Sequence, residues 1–269
     1  MKKIGFIGAG NMAGALMKGL LAAKLYRPQD MLASDVVPAQ LKKVQKAYQV
    51  EGLRDNRALV RAVPTIVLAV KPQIIDEVLA EIRPEVSKEK LFISIAAGVP
   101  LARLEGGLGS DARVVRVMPN TPALVGKGMA VIVRGKKATP KDERLTLTLF
   151  RGVGEALAVK DEALLDPVTG LSGSGPAYVY LFAEALITGG TQEGLPPRVA
   201  TQLTVQTLEG AVAMLKETGK SPKELRDMVT SPGGTTLAGL AQLQARHFHE
   251  TVVAAVHAAT RRSKELGQK

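Results

Sequence analysis

Over its first 160 residues the chain repeats one pattern, a short unbroken apolar run followed by a segment long enough for a helix, and that repetition leaves few folds open. The runs Lys3–Ile7, Met31–Ser34, Thr65–Val70, Leu91–Ser94, Val114–Val117 and Met129–Val133 are continuous rather than alternating, as strands buried on both faces of a mostly parallel sheet must be. Between them, Met12–Lys24, Pro38–Tyr48 and Ile74–Ile82 have the length of crossover helices. Strand, helix, strand in succession predicts a doubly wound α/β domain. Thr139-Pro140-Lys141-Asp142 offers a capping hydroxyl and then Pro at the first helical position, so a further helix is expected to run to Phe150 before a strand at Glu155–Val159.

After Asp161 the β-rich runs stop. Gly175–Gly189, Pro196–Lys216, Ser221–Val229, Thr235–Ala245 and His247–Glu265 read as helices, and Ser221-Pro222-Lys223-Glu224 has the cap, Pro and Glu of a helix start. The expected division is residues 1–160 as an α/β domain and 161–269 as an all-α domain. The stretch Ala177–Ala183 is apolar nearly all round, which a small helical domain cannot hide alone, so a second subunit is expected to cover it.

The two parts also differ in charge. Of the net +11, residues 1–160 carry 26 Lys+Arg against 14 Asp+Glu, or +12, and residues 161–269 carry 10 against 11, or −1. A basic first part suits a polyanion or a small phosphorylated cofactor. Aromatic residues are 3% of the chain and no Lys/Arg run exceeds two, so nucleic acid is not the expected partner. The absence of cysteine excludes disulfides, Cys-ligated zinc, iron–sulfur clusters and a thiol nucleophile. Every apolar run is far shorter than the roughly 18 residues of a membrane span, and Met1-Lys2-Lys3 leads straight into a strand pattern. No membrane partner is expected, and the predicted location is cytoplasmic.

The first strand ends in Gly5-Phe6-Ile7-Gly8-Ala9-Gly10-Asn11-Met12-Ala13-Gly14. Gly8 permits a tight turn, Gly10 lets a pyrophosphate approach the backbone, Ala13 lets the next helix pack closely, and that helix offers free N–H groups at its positive end. One βαβ unit later, Ser34-Asp35 ends the second strand, where a ribose hydroxyl would be read. A Rossmann-type dinucleotide site is the expectation; a glycine-rich structural turn is the plainer reading. Ala69-Val70-Lys71-Pro72, Ala96-Ala97-Gly98 and Met118-Pro119-Asn120-Thr121-Pro122 also fall at strand ends. Lys71 is either a cofactor contact or a solvated lysine before a proline turn.

In the helical part, Val229-Thr230-Ser231-Pro232-Gly233-Gly234-Thr235-Thr236 sets two glycines and several hydroxyls just ahead of a helix, a pattern that suits a carboxylate. It holds no acid, base or metal ligand, and a capped loop would read similarly. The histidines His247, His249 and His257 share the last helix pattern without an acidic cluster, so surface or interface roles outweigh metal binding. Tyr178 and Tyr180 read as packing residues.

Gly5–Met12, Ala69–Pro72, Arg116–Pro122, Val168–Tyr178 and Val229–Thr236 together resemble the pyrroline-5-carboxylate reductase family, in order and over nearly the whole chain. The resemblance implies reduction of 1-pyrroline-5-carboxylate to L-proline by NAD(P)H, the last step of proline biosynthesis. It also implies a Rossmann domain followed by a helical substrate-binding and dimerisation domain, with a homodimer that in some members assembles into a homodecamer. By position, Gly8, Ala9, Gly10, Asn11 and Met12 would hold the pyrophosphate, with Ser34 and Asp35 at the ribose and Asn56 on the adenosine side. Ala69, Val70, Lys71 and Ala97 would line the path to the nicotinamide. Ser231, Gly233, Gly234 and Thr235 would take the substrate carboxylate, and Thr236 would hydrogen-bond the ring nitrogen as the catalytic contact. An acidic Asp35 suits an unphosphorylated ribose, whereas the basic first domain suits NADP(H); NADP(H) is expected ahead of NAD(H), with no metal.

Two other classes remain open from sequence. A β-hydroxyacid dehydrogenase would share the glycine turn and a helical second domain, but enzymes of that kind resemble one another in a lysine on the first long helix of that domain, and no lysine occurs between Lys160 and Lys216. A protein that binds NAD(P)H as a regulatory signal would leave the hydroxyl-rich turn without a purpose.

Overall fold

A computed structural model describes residues 2–268. The strands are β1 (Ile4–Ile7), β2 (Met31–Ser34), β3 (Glu51–Leu53), β4 (Thr65–Leu68), β5 (Leu91–Ser94), β6 (Arg113–Pro119), β7 (Gly128–Arg134) and β8 (Gly154–Ala158). They form one sheet in the order β3-β2-β1-β4-β5-β6-β7-β8. All neighbours run parallel except β6 and β7, where a short connection through Thr121–Val125 returns the chain antiparallel. The helices among them are α1 (Asn11–Ala22), α2 (Pro38–Tyr48), α3 (Asn56–Ala62), α4 (Ile75–Ile82), α5 (Leu101–Leu108) and α6 (Pro140–Arg151).

The continuous apolar runs are continuous because both sheet faces are covered. In β1, Ile4 and Phe6 enter one core cluster with Met17, Leu20 and Phe150, while Ile7 enters the other with Leu59, Phe92 and Leu104. Burying one such side chain stabilises the fold by about 1.5–3 kcal/mol. Chain order reverses beside β1, since β2 and β3 lie to one side and β4 to the other; that switch opens a crevice at the carboxyl ends of the strands.

The sequence pattern did not predict β3, α3 or α5. β3 is a three-residue edge strand without a fully buried position, α3 spans only seven residues, and α5 carries Gly106-Gly107, which depress helix propensity. The predicted caps do form: Thr139 and Asp142 exchange side-chain-to-backbone bonds at the start of α6.

The remaining helices are α7 (Leu165–Val168), α8 (Gly175–Gln192), α9 (Pro197–Thr218), α10 (Pro222–Met228), α11 (Thr235–Ala245) and α12 (Phe248–Gly267). Between α7 and α8 lies a wide turn, Thr169–Gly173, with Ser174 N–H donating to the Thr169 carbonyl at 2.8 Å. At α10, Ser221 and Glu224 form the reciprocal box, and the Ser221 hydroxyl and N–H hold the Glu224 carboxyl below its usual range. Internal contacts divide the chain into two compact units. One runs up to Ser174 and takes back the residues from His257 onward; the other is Gly175–Val256. Among the described residues, no helix is long and apolar enough to cross a membrane.

Candidate active site

In the first unit, the predicted nucleotide residues lie at or follow the carboxyl ends of five adjacent strands. Gly8–Met12 follow β1, Ser34-Asp35 end β2, Asn56 opens α3, Ala69–Lys71 follow β4 and Ala97 follows β5. Gly8 has φ +96, and a Cβ there would lie 2.7 Å from the Ala69 carbonyl oxygen, so only glycine lets the first turn pass the end of β4. At Gly10 the same construction meets nothing within 4 Å. That open space faces the start of α1, which has no side-chain cap and no acidic residue in its first turn. Uncapped N–H groups at a positive helix end, with room above the backbone, fit a pyrophosphate.

The turn is braced from β2. Gly8 N–H donates to the Ser34 carbonyl at 2.8 Å, and Ala9 N–H donates to Oδ2 of Asp35 at 2.7 Å. The other Asp35 oxygen accepts from Val37 N–H at 2.8 Å. Asp35 therefore holds the glycine turn with one oxygen and its own loop with the other, an arrangement that spacing alone did not reveal. Behind it, the buried Ser34 hydroxyl donates to Oδ1 of Asn56 at 2.7 Å, and Asn56 Nδ2 donates to Glu81 at 2.7 Å. Ala69 and Val70 are half-buried, and Lys71 and Ala97 are exposed.

Arg116 in β6 and Asn120 just after it make contacts that the sequence pattern did not reveal. Arg116, 6% exposed, pairs with Oε1 of Glu162 at 2.6 Å, and the same oxygen accepts Leu101 N–H at 2.7 Å, capping α5. An arginine inside Val-Val-Arg-Val was the available signal, because a buried cation needs a partner. Asn120 accepts Met129 N–H at 2.8 Å while its Nδ2 donates to the Ser172 carbonyl and hydroxyl, each at 3.2 Å. It thus ties the end of β6 to the wide turn Thr169–Gly173, and such turns recur at functional sites.

In the second unit, Ser231–Gly234 form a tight turn closed by Gly234 N–H donating to the Ser231 carbonyl at 3.0 Å. Gly233 sits at φ +72, a conformation that favours glycine. A Cβ on Gly234 would lie 2.5 Å from Oγ of Ser231. α11 then begins without a side-chain cap or first-turn acid, and Ser231, Thr235 and Thr236 are exposed. Thr230 differs, since its hydroxyl donates to the Arg226 carbonyl at 2.7 Å. The turn offers backbone N–H groups and three hydroxyls to a small anion. Among the described residues, no group of His, Asp and Glu could hold a metal ion.

Comparison with known proteins gives the following. Residues 162–266 match the family described as pyrroline-5-carboxylate reductase dimerisation, and residues 3–98 match NADP oxidoreductase, coenzyme F420-dependent. The pyrroline-5-carboxylate reductase of Methanosarcina acetivorans is 46% identical over 100% of this chain and 99% of its own length. A Coxiella burnetii pyrroline-5-carboxylate reductase structure superposes with a TM-score of 0.92 at 36% identity, covering 100% of this chain and 99% of that one. The Plasmodium falciparum pyrroline carboxylate reductase, whose crystal structure has NADP bound, superposes with a TM-score of 0.90 at 36% identity, covering 99% of this chain and 98% of its own.

Proposed function

The chain belongs to the pyrroline-5-carboxylate reductase family, and from that premise we infer how its residues carry out the reaction. It is an NAD(P)H-dependent oxidoreductase that reduces the C=N bond of 1-pyrroline-5-carboxylate to give L-proline. When bound, the reduced nicotinamide would supply a hydride to the imine carbon, the ring carbon doubly bonded to nitrogen, with the C=N electron pair passing to nitrogen.

The chain's own part is binding and orientation. Gly8, Ala9, Gly10, Asn11 and Met12 take the pyrophosphate, with Ser34, Asp35 and Asn56 towards the adenosine and Ala69, Val70, Lys71 and Ala97 along the nicotinamide path. Ser231, Gly233, Gly234 and Thr235 receive the substrate carboxylate at the start of α11. Thr236 hydrogen-bonds the ring nitrogen, its hydroxyl oxygen accepting the N–H of the protonated imine. A hydroxyl of high pKa is a poor general acid, so the proton on the nitrogen comes from solvent, before hydride arrives. The observation that carries this reading is the turn Ser231–Thr236, which is built from N–H and hydroxyl donors and has no acid, base or metal ligand of its own. Reactivity then follows from placement of a protonated imine.

Residues 1–160 are the cofactor domain and 161–269 the substrate-binding and dimerisation domain in this reading. NADP(H) is the favoured cofactor because the first domain carries +12, against the opposing charge of Asp35. The working form is a cytoplasmic homodimer, with assembly to a decamer as a further step. The test is kcat/KM for NADPH and NADH with the pyrroline substrate. Proline formation with NADPH preferred is the expected result; turnover with neither cofactor overturns the reading, and a preference for NADH overturns the cofactor assignment.

A further inference from the structure

The end of α12 rests on the loop that follows β5. Gly98 has φ +76, and a Cβ built there would lie 3.2 Å from Cβ of Leu266; one built on Gly267 would lie 3.1 Å from the Gly98 carbonyl oxygen. Helix end and loop therefore meet at main-chain distance. Gly98 is buried, whereas its neighbour Ala97 is exposed. One turn earlier in α12, Ser263 is 3% exposed and donates its hydroxyl to Oδ1 of Asp166 at 2.7 Å. The last turn of the helix is thus tied to α7 and laid against Gly98.

A glycine at positive φ has wide freedom in isolation, so the placement of a loop such as Ala96-Ala97-Gly98 depends on what backs it. Within the loop, the closing bond from Val99 N–H to the Ala96 carbonyl is long, at 3.4 Å. The residue that backs it, Leu266, meets it with its Cβ and main chain, is itself 44% exposed and lies outside both core clusters. A contact that is marginal for core stability yet fixed by the Ser263–Asp166 bond one turn away is suited to positioning.

We propose that Leu266 and Gly267 are positioning residues for hydride transfer: they hold the Ala97–Gly98 turn, and through it the wall that Ala97 offers to the nicotinamide ring. This rests on the cofactor reading above, and neither residue touches the reacting atoms. The adenosine and pyrophosphate contacts lie on other strand ends, so a loss here should be felt by the nicotinamide half alone.

The experiment uses full-length Leu266→Gly, which removes the Cβ that meets Gly98, with Leu266→Ala, which keeps it, as the control. Amide hydrogen exchange over residues 95–99 is measured without cofactor, and dissociation constants are measured for NADPH, NADH and ADP-ribose, which lacks the nicotinamide. Exchange should quicken in Leu266→Gly, and the nicotinamide cofactor should bind about tenfold more weakly while ADP-ribose stays within about twofold. Leu266→Ala should behave as the wild type in both. Unchanged exchange, or equal weakening of all ligands, overturns the proposal. A wild-type chain that binds no nicotinamide cofactor would instead sink the cofactor reading and the positioning role with it, while normal wild-type cofactor binding beside a failed Leu266→Gly effect sinks the positioning role alone.

Discussion

β1 and α8 are both apolar, and they solve the problem of being apolar in opposite ways. All four residues of β1 are buried by the chain's own helices and neighbouring strands. None of the eighteen residues of α8 is buried, with Val179 51% and Leu181 68% exposed in the single chain. The first unit closes two cores around its sheet. The second carries further exposed apolar side chains at Leu203, Val205 and Val212 along α9. Exposed apolar surface on that scale marks an interface, and the match of residues 162–266 to a dimerisation family supports self-association. The first unit covers its own two cores, and the second leaves apolar helix faces that self-association would cover.

Substitutions aimed at one unit should spare the other. The largest effect is expected from Phe182→Glu. Phe182 packs on Phe248 with ring centroids 5.9 Å apart, and an unpaired carboxylate on this face of an assembled dimer costs several kcal/mol. Sedimentation should show the assembly lost or aggregated and the activity gone, while the titrated cofactor affinity of the soluble fraction persists. Retention of a native, active oligomer would break the comparison at its strongest point.

Gly10→Val acts in the other unit. Its side chain would fill the open space above the start of α1, so cofactor affinity should fall by about a hundredfold or more with the oligomer intact. Titration by nicotinamide fluorescence decides this, and wild-type affinity would remove the glycine turn from the site. Thr236→Ala removes one hydroxyl from the substrate turn. A hydrogen bond of about 1–3 kcal/mol corresponds to one to two decades in kcat, with KM for the cofactor unmoved; steady-state kinetics showing normal turnover would free Thr236 of its role.

The smallest effect is expected at Asp35. Asp35→Asn keeps an acceptor for Ala9 N–H, gives up the bond from the exposed Val37 N–H, and removes the charge, worth about 1 kcal/mol across a few ångströms of water. The ratio of kcat/KM for NADPH over NADH should rise about fivefold. A constant ratio would mean that the cofactor does not sense this carboxylate.

Features written in local spacing were legible in the sequence. The apolar runs gave the strands of both cores, and Ser221-Pro222-Lys223-Glu224 gave a helix start to within a residue. The strand-end loops that carry the candidate nucleotide residues followed from the same pattern, except the turn from β3 to α3 that holds Asn56. What spacing does not carry is pairing between distant residues. Asp35 reaches back 26 residues to Ala9, Arg116 reaches 46 to Glu162, and Ser263 reaches 97 to Asp166. The antiparallel turn of β7 was hidden for a related reason, since a strand covered on both faces reads alike in either direction. The return of the chain's last residues to the first unit left no local signal at all.

Sedimentation velocity of the wild type over a wide dilution series, with pyrroline-5-carboxylate reduction assayed on the same samples, tests most directly the claim that the second unit needs a second copy. The account predicts a species at twice 28.4 kDa, or a multiple of that, at every concentration that retains activity. A fully active monomer of 28.4 kDa would contradict it.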